Sequence, residues 1–183
     1  MNITQFIKYL NDAKKWNIQS SYYVQIETWK NWWRGWYEPF HSIKETYLDG
    51  SMHGREMYRM KMPKRACEDW ASLLLNDKTT VTVEDASSAH WLLGGDGQQT
   101  GGQLGAMEFW PNANALVELA FRSGTGAFVA GVEGMAVSGG QAIPSPNAQL
   151  VMDYLPAECI LPITIRHGKI IDVAFASEVT ADG

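Results

Sequence analysis

The chain has 183 residues, 45% hydrophobic and 19% charged, with a formal net charge of -5. That length suits one domain with its own core, and the acidic balance argues against a general nucleic-acid binder, which carries a basic one. No apolar run approaches the roughly 20 residues that cross a bilayer, and Lys8 interrupts the region where a signal peptide would be apolar. The two cysteines, Cys67 and Cys159, lie far apart, which suits reduced thiols in a cytosolic setting and not a disulfide framework.

Ile3, Phe6, Ile7 and Leu10 share one face of a predicted N-terminal helix, and residues 1–18 read as a packing arm. A break follows near Asn17. Residues 22–36 predict a second helix, with Tyr22, Ile26, Trp29 and Trp33 on one face and Gly35 at its end. Four of the chain's eight tryptophans fall here, read first as a buried aromatic stripe. Stacking on unpaired bases would need more interleaved cations than Lys30 and Arg34. Two strands of a hairpin are expected over 43–48 and 56–62, joined by a loop over 49–54.

Residues 60–83 carry the fullest set of local signals. Pro63 suits the first turn of a helix. Ala66, Trp70, Leu73 and Leu74 recur at the spacing of one buried helical face, widened by Cys67 and Ala71. Asn76 is expected as a left-handed stop, and residues 79–83 alternate as a half-buried strand. Lys61, Lys64 and Arg65 place positive charge where the helix dipole prefers negative. Lys64 can pair with Glu68 and Arg65 with Asp69. If this cluster is instead a contact surface, its partner is acidic: a carboxylate on a neighbouring chain or a phosphate backbone.

Ser87 and Ser88 read as the opening of a loop, and residues 94–105 as a flexible glycine-rich segment. A helix capped by Asn112 or Asn114 is expected through Leu116, Leu119, Ala120 and Phe121, stopped by Gly124 and Gly126. The remainder predicts β structure. A strand covers 127–137, with Gly131 and Gly134 marking a bulge or a close approach. A turn covers 143–146, a strand 150–154 and a bend 156–160. A last hairpin crosses His167-Gly168 between strands over 163–166 and 169–175. The fold class is therefore α+β, several helices packed on antiparallel hairpins or a mixed sheet. The final residues, 178–183, give no closing signal, so the chain reads as an incomplete fragment.

Catalytic signatures are sparse. Gly97 and Gly102 have phosphate-loop spacing, but Gln103 and Leu104 stand where lysine and a hydroxyl are needed. Ala136-Val-Ser-Gly-Gly140 misses the first glycine of a nucleophile elbow. His41, His53, His90 and His167 lack a second ligand at metal spacing. The adjacent carboxylates Glu68-Asp69 and Glu84-Asp85 point different ways along a regular element. No catalytic, metal-binding or cofactor-binding residue is assigned, and the chain is not expected to be an enzyme. The alternative is a small α+β hydrolase-like enzyme with a site near His41, His53 and the 94–105 loop.

Four pieces in order resemble the N-terminal wing region of bacteriophage portal proteins, closest to those of long-tailed phages of Gram-positive hosts. They are Trp29-Lys-Asn-Trp-Trp-Arg-Gly-Trp-Tyr37, Arg59-Met-Lys-Met-Pro-Lys64, Cys67-Glu-Asp-Trp-Ala-Ser-Leu-Leu-Leu-Asn-Asp-Lys78 and Gly168-Lys-Ile-Ile-Asp-Val-Ala-Phe-Ala-Ser177. The resemblance makes Trp29, Trp33, Trp36, Tyr37, Met60, Glu68, Asp69 and Trp70 structural signature residues, within a wing-like α+β region over 19–183. It implies a virion structural subunit, assembled in the host cytoplasm into a ring, usually of twelve, at the portal vertex of the capsid. Double-stranded DNA would pass through the ring in packaging and ejection. Terminase, head–tail connector and capsid proteins would be its partners, with no membrane involved. The family's stem helices, clip and crown would follow this segment.

Overall fold

In the computed structural model, residues 3–95 and 101–176 are described. Helices α1 (Ile3–Lys14) and α2 (Ser20–Arg34) are followed by one short turn of helix, α3 (Glu38–His41). A hairpin of β1 (Ser42–Thr46) and β2 (Met52–Glu56) leads to α4 (Met62–Leu74), then α5 (Ala86–Leu93), α6 (Gly102–Ala106) and α7 (Phe109–Ser123). Two further hairpins close the order: β3 (Gly126–Ser138) with β4 (Gln141–Pro156), and β5 (Ile160–Arg166) with β6 (Lys169–Phe175). A 3-10 turn at Ala157–Cys159 lies between them. Among the described residues the three sheets are two-stranded and antiparallel, and the class is α+β.

Two helices organise the packing. α2 lies against α1, α4, α7 and the 3-10 turn, and α7 also carries α6, β3 and β4. The main core joins Ile7 and Leu10 of α1, Ile18, Tyr23 and Ile26 of α2, Ala157 and Leu161. The N-terminal helix thus packs on its own chain. Tyr23 anchors the last hairpin, because its buried hydroxyl donates to the Ile160 carbonyl at 2.6 Å. Burial, then the neighbouring Tyr22, pushes the Tyr23 phenol up to about 12. α4 and α7 meet through small residues, with Ala71 and Ala113 both fully buried.

Left-handed glycines end the helices as the sequence indicates. Gly35, at φ 82°, closes α2 with bonds from its own N–H to Trp32 and from Trp36 N–H to Asn31, the paired pattern of a Schellman cap. Gly124, at φ 81°, does the same work for α7. His167 and Gly168, at φ 50° and 74°, make the two-residue turn between β5 and β6. Gly134 marks the register shift in β3.

Several expectations are corrected. α4 buries Ala71, with Lys64, Cys67, Glu68 and Leu75 half-buried, and leaves Trp70, Leu73 and Leu74 exposed by 56%, 66% and 54%. Both stripes run at helical spacing, and α7 covers only one of them. The helix stops at Leu74 with no left-handed residue. Asn76 instead accepts from Lys78 N–H at 2.9 Å and donates to the Leu73 carbonyl. Residues 79–83 are not a strand, since β propensity alone supplies no pairing partner.

The first hairpin is shorter than expected. Asp49 accepts from both the N–H and the hydroxyl of Ser51, at 2.9 and 2.6 Å, and Gly50 turns at φ 81°. That closes the loop early, so pairing resumes at Met52 opposite Thr46 and residues 57–61 are not strand. The same two bonds, the hydroxyl first, hold the Asp49 carboxyl below the usual range.

Residues 87–88 lie inside α5, whose cap is Asp85: its carboxylate accepts from Ser88 N–H at 2.7 Å and from the Ser87 hydroxyl at 2.6 Å. These bonds, that to Ser87 foremost, hold its pKa down to about 2. A depressed carboxyl stabilises the cap above its unfolded pKa and loses that contribution as pH falls through the folded one. α5 is therefore expected to fray between pH 4 and about 2, read as faster amide exchange at Ser88, and Asp85→Ala should show that fast exchange already at pH 7.

The glycine-rich segment is only partly described, because residues 96–100 lie outside the described ones. Its later part is the helix α6, with Leu104 buried. Gly94 and Gly102 pack backbone to backbone: a Cβ on Gly102 would stand 2.5 Å from Gly94 N. α7 begins at Phe109, two or more residues before the expected asparagine caps. Asn112 bonds back to the Met107 carbonyl and Asn114 to that of Leu75, both at 3.3 Å. Residues 143–146 are assigned to β4, and the hairpin turn is Gly139-Gly140. The ladder still jumps there, pairing Glu133 with Gln149 but Met135 with Pro144. The unfinished segment over 178–183 lies outside the described residues.

Candidate functional site

The tryptophan helix and the basic start of α4 come together. The Gly35 cap makes this possible: a Cβ there would stand 2.9 Å from Lys61 Cγ. Two cations lie over the Trp33 ring, Lys64 Nζ at 5.0 Å and Arg122 Cζ at 5.5 Å from its centroid. Its indole N–H donates to Glu118 at 3.1 Å. Arg122, its side chain 6% exposed, donates from one nitrogen, Nη2, to both oxygens of Glu158 at 2.9 and 3.0 Å and from Nε to the Ser123 hydroxyl. Lys30 also approaches Glu158 Oε1, at 3.8 Å. Nearby, the Arg59 guanidinium covers the Trp36 ring at 4.3 Å.

The signature residues therefore fall into two groups. Trp29, Trp33, Trp36 and Tyr37 sit half-buried at or just beyond the end of α2. Trp29 meets Tyr22 edge-on, and Tyr37 lies against Trp32. Glu68 and Asp69 serve their own helix, pairing with Lys64 at 3.4 Å and Arg65 at 3.1 Å. Trp70 stacks on Phe121 of α7 at 6.0 Å and stays 56% exposed. Of the basic cluster, Lys64 and Arg65 are thus committed within α4. Lys61 is exposed and has no ion pair among the described residues. Arg122, Glu118 and Glu158 were not singled out from the sequence. They lie 85 and 36 residues from their partners, and no local pattern marks such pairs.

A cavity of about 570 Å³ opens beside the junction, lined by Trp32, Phe40, His41, Met57, Met60 and Met62 among others. His41 is buried in an aromatic box, stacked on Trp36 at 5.2 Å and edge-on to Phe40 at 5.0 Å. Its Nδ1 lies 2.9 Å from both the N and the O of Tyr37, so that nitrogen is held by backbone. His53 stands on β2, edge-on to Tyr47 at 4.7 Å. His41 is opposite Met57, whose N–H donates to its carbonyl, so about 13 Å of strand separates the two histidines. The geometry does not bring them to one site.

Burial, then the charge of Glu118, raises the Cys67 thiol, which weakens it as a nucleophile. Among the described residues no group of three His, Cys, Asp or Glu could hold a metal ion. No helix among them is long and apolar enough to cross a membrane. The arrangement offers aromatic, cationic and apolar contact surface. Comparisons with protein-family models, with curated proteins and with solved structures each find no match.

Proposed function

We propose that the chain is the wing region of a phage portal subunit, a structural component of a ring at the capsid vertex. In that role copies of the chain, with twelve the expected number, surround the path of double-stranded DNA during packaging and ejection. Terminase and head–tail connector proteins dock on the ring in turn, and the virion is where it resides. The observation that carries the proposal is the unburied face of the most specific motif. Trp70, Leu73 and Leu74 are all more than half exposed and continue to Phe121, 44% exposed. A contiguous apolar face of this kind is what a subunit keeps for a neighbour.

The charge pattern supports the same role. Net charge is negative, and Lys64, Arg65, Arg55 and Arg59 each stand within 3.6 Å of a carboxylate. DNA that must slide needs few unpaired cations, because each phosphate neutralised adds affinity. Electron microscopy of the protein at its natural full length is expected to show rings with a central hole. A strictly monomeric full-length protein overturns the proposal.

A further inference from the structure

The first hairpin has an apolar tip with nothing under it and an apolar hole at its base. Leu48 at the tip is fully exposed, and Tyr47 and Met52 beside it are 54% and 68% exposed. At the other end of the same hairpin, residues 55–58 line the cavity of about 570 Å³ together with Trp32, Phe40, Met60 and Met62. The tip cannot fill this hole in its own chain: β2 runs from Met52 at the tip to Glu56 at the base, about 13 Å.

We infer that the 47–52 tip of one copy docks in the methionine-lined cavity of the next, with Leu48 as the anchor. Three features on the two surfaces match. An apolar side chain with no burial of its own meets an unfilled apolar hole, the usual setting of an anchor residue. Methionines adapt their shape to an incoming side chain at little cost. The charges are complementary as well: the tip carries Asp49, kept ionised by Ser51. Between the lining residues Met60 and Met62 stands Lys61, which has no ion pair among the described residues. Knob and hole are different surfaces of the same chain, so the contact is head-to-tail, the type that closes into rings. The inference rests on the ring-subunit proposal for its supply of neighbouring copies, and it adds a contact distinct from the exposed Trp70 face of α4.

Sedimentation velocity over a concentration series tests it. The chain is expected to self-associate, and Leu48→Asp to weaken association at least tenfold with an unchanged urea midpoint, since the side chain touches nothing. Mixing a Leu48→Cys variant with a Met60→Cys variant, both in a Cys67→Ser, Cys159→Ser background, should give a disulfide-linked pair on mild oxidation. Association insensitive to Leu48→Asp, or a chain that stays monomeric and yields no cross-link, overturns the inference. At full length the two proposals separate. Rings that still form with Leu48→Asp sink the docking contact alone, whereas absence of rings from the unaltered full-length protein sinks the ring-subunit proposal.

Discussion

Arg122→Met is expected to lower the free energy of unfolding by about 2–3 kcal/mol, read from the urea midpoint. The substitution keeps an unbranched apolar stem in place of the arginine methylenes while removing a nearly buried guanidinium. Glu158 would then lose its guanidinium partner and keep only Lys30 at 3.8 Å. Leaving a carboxylate without a buried partner costs more than the pair itself contributes. Because the Glu158 side chain is 30% exposed, water recovers part of that cost, which places the estimate below the upper range for buried pairs. Arg122→Lys should recover less than half of the loss, because a single ammonium nitrogen cannot hold Glu158 and at the same time donate to Ser123 as Nη2 and Nε of the guanidinium do. A loss below about 0.5 kcal/mol would show that the network joining α2, α7 and the 3-10 turn carries no net stability.

Ile7→Ala is expected to cost about 3–4 kcal/mol, since Ile7 is fully buried among Leu10, Ile18, Tyr23 and Ile26. Trp70→Ala should cost only about 1 kcal/mol in the isolated chain, the worth of one half-exposed ring stacked on Phe121. The order inverts what the sequence pattern alone suggests, where Trp70 is the natural core anchor and the N-terminal helix an arm. Equilibrium unfolding of the two variants side by side checks it. Equal losses would mean that the exposed face of α4 is covered within the chain.

The stops of α2 and α7 and the turn of the last hairpin were legible because they are local. Gly35, Gly124 and His167-Gly168 are positions where the chain must take φ > 0, and that demand is met within a few residues. α1, α2 and α7 were legible because a single apolar stripe at helical spacing identifies an amphipathic helix. α4 carries two stripes, Ala66-Trp70-Leu73-Leu74 and Lys64-Cys67-Ala71-Leu75. Periodicity finds both but does not say which one has a neighbour. The smaller side chains of the second allow α7 to come close, and that decided the packing.

The misplaced strands have the same origin. Residues 79–83 have the composition of a strand, yet a strand exists only where another backbone offers a ladder. The start of β2 moved because two bonds from Ser51 to Asp49 closed the turn early, a local effect that the run of turn residues concealed. Arg122, Glu118 and Glu158 left no trace in any window of the sequence, since each meets its partner across three separate elements.

By itself, then, the sequence determined the α+β class, the glycine stops of α2 and α7, the last hairpin with its turn and the tryptophans of α2. Each follows from backbone preference or periodicity within about fifteen residues. Only the tertiary structure decided that α4 turns its small face inward and that Lys64 and Arg122 both reach the Trp33 ring. It alone left Trp70, Leu73, Leu74 and Leu48 outside. Burial is a property of pairs of surfaces, and a stretch of sequence specifies only one of the two.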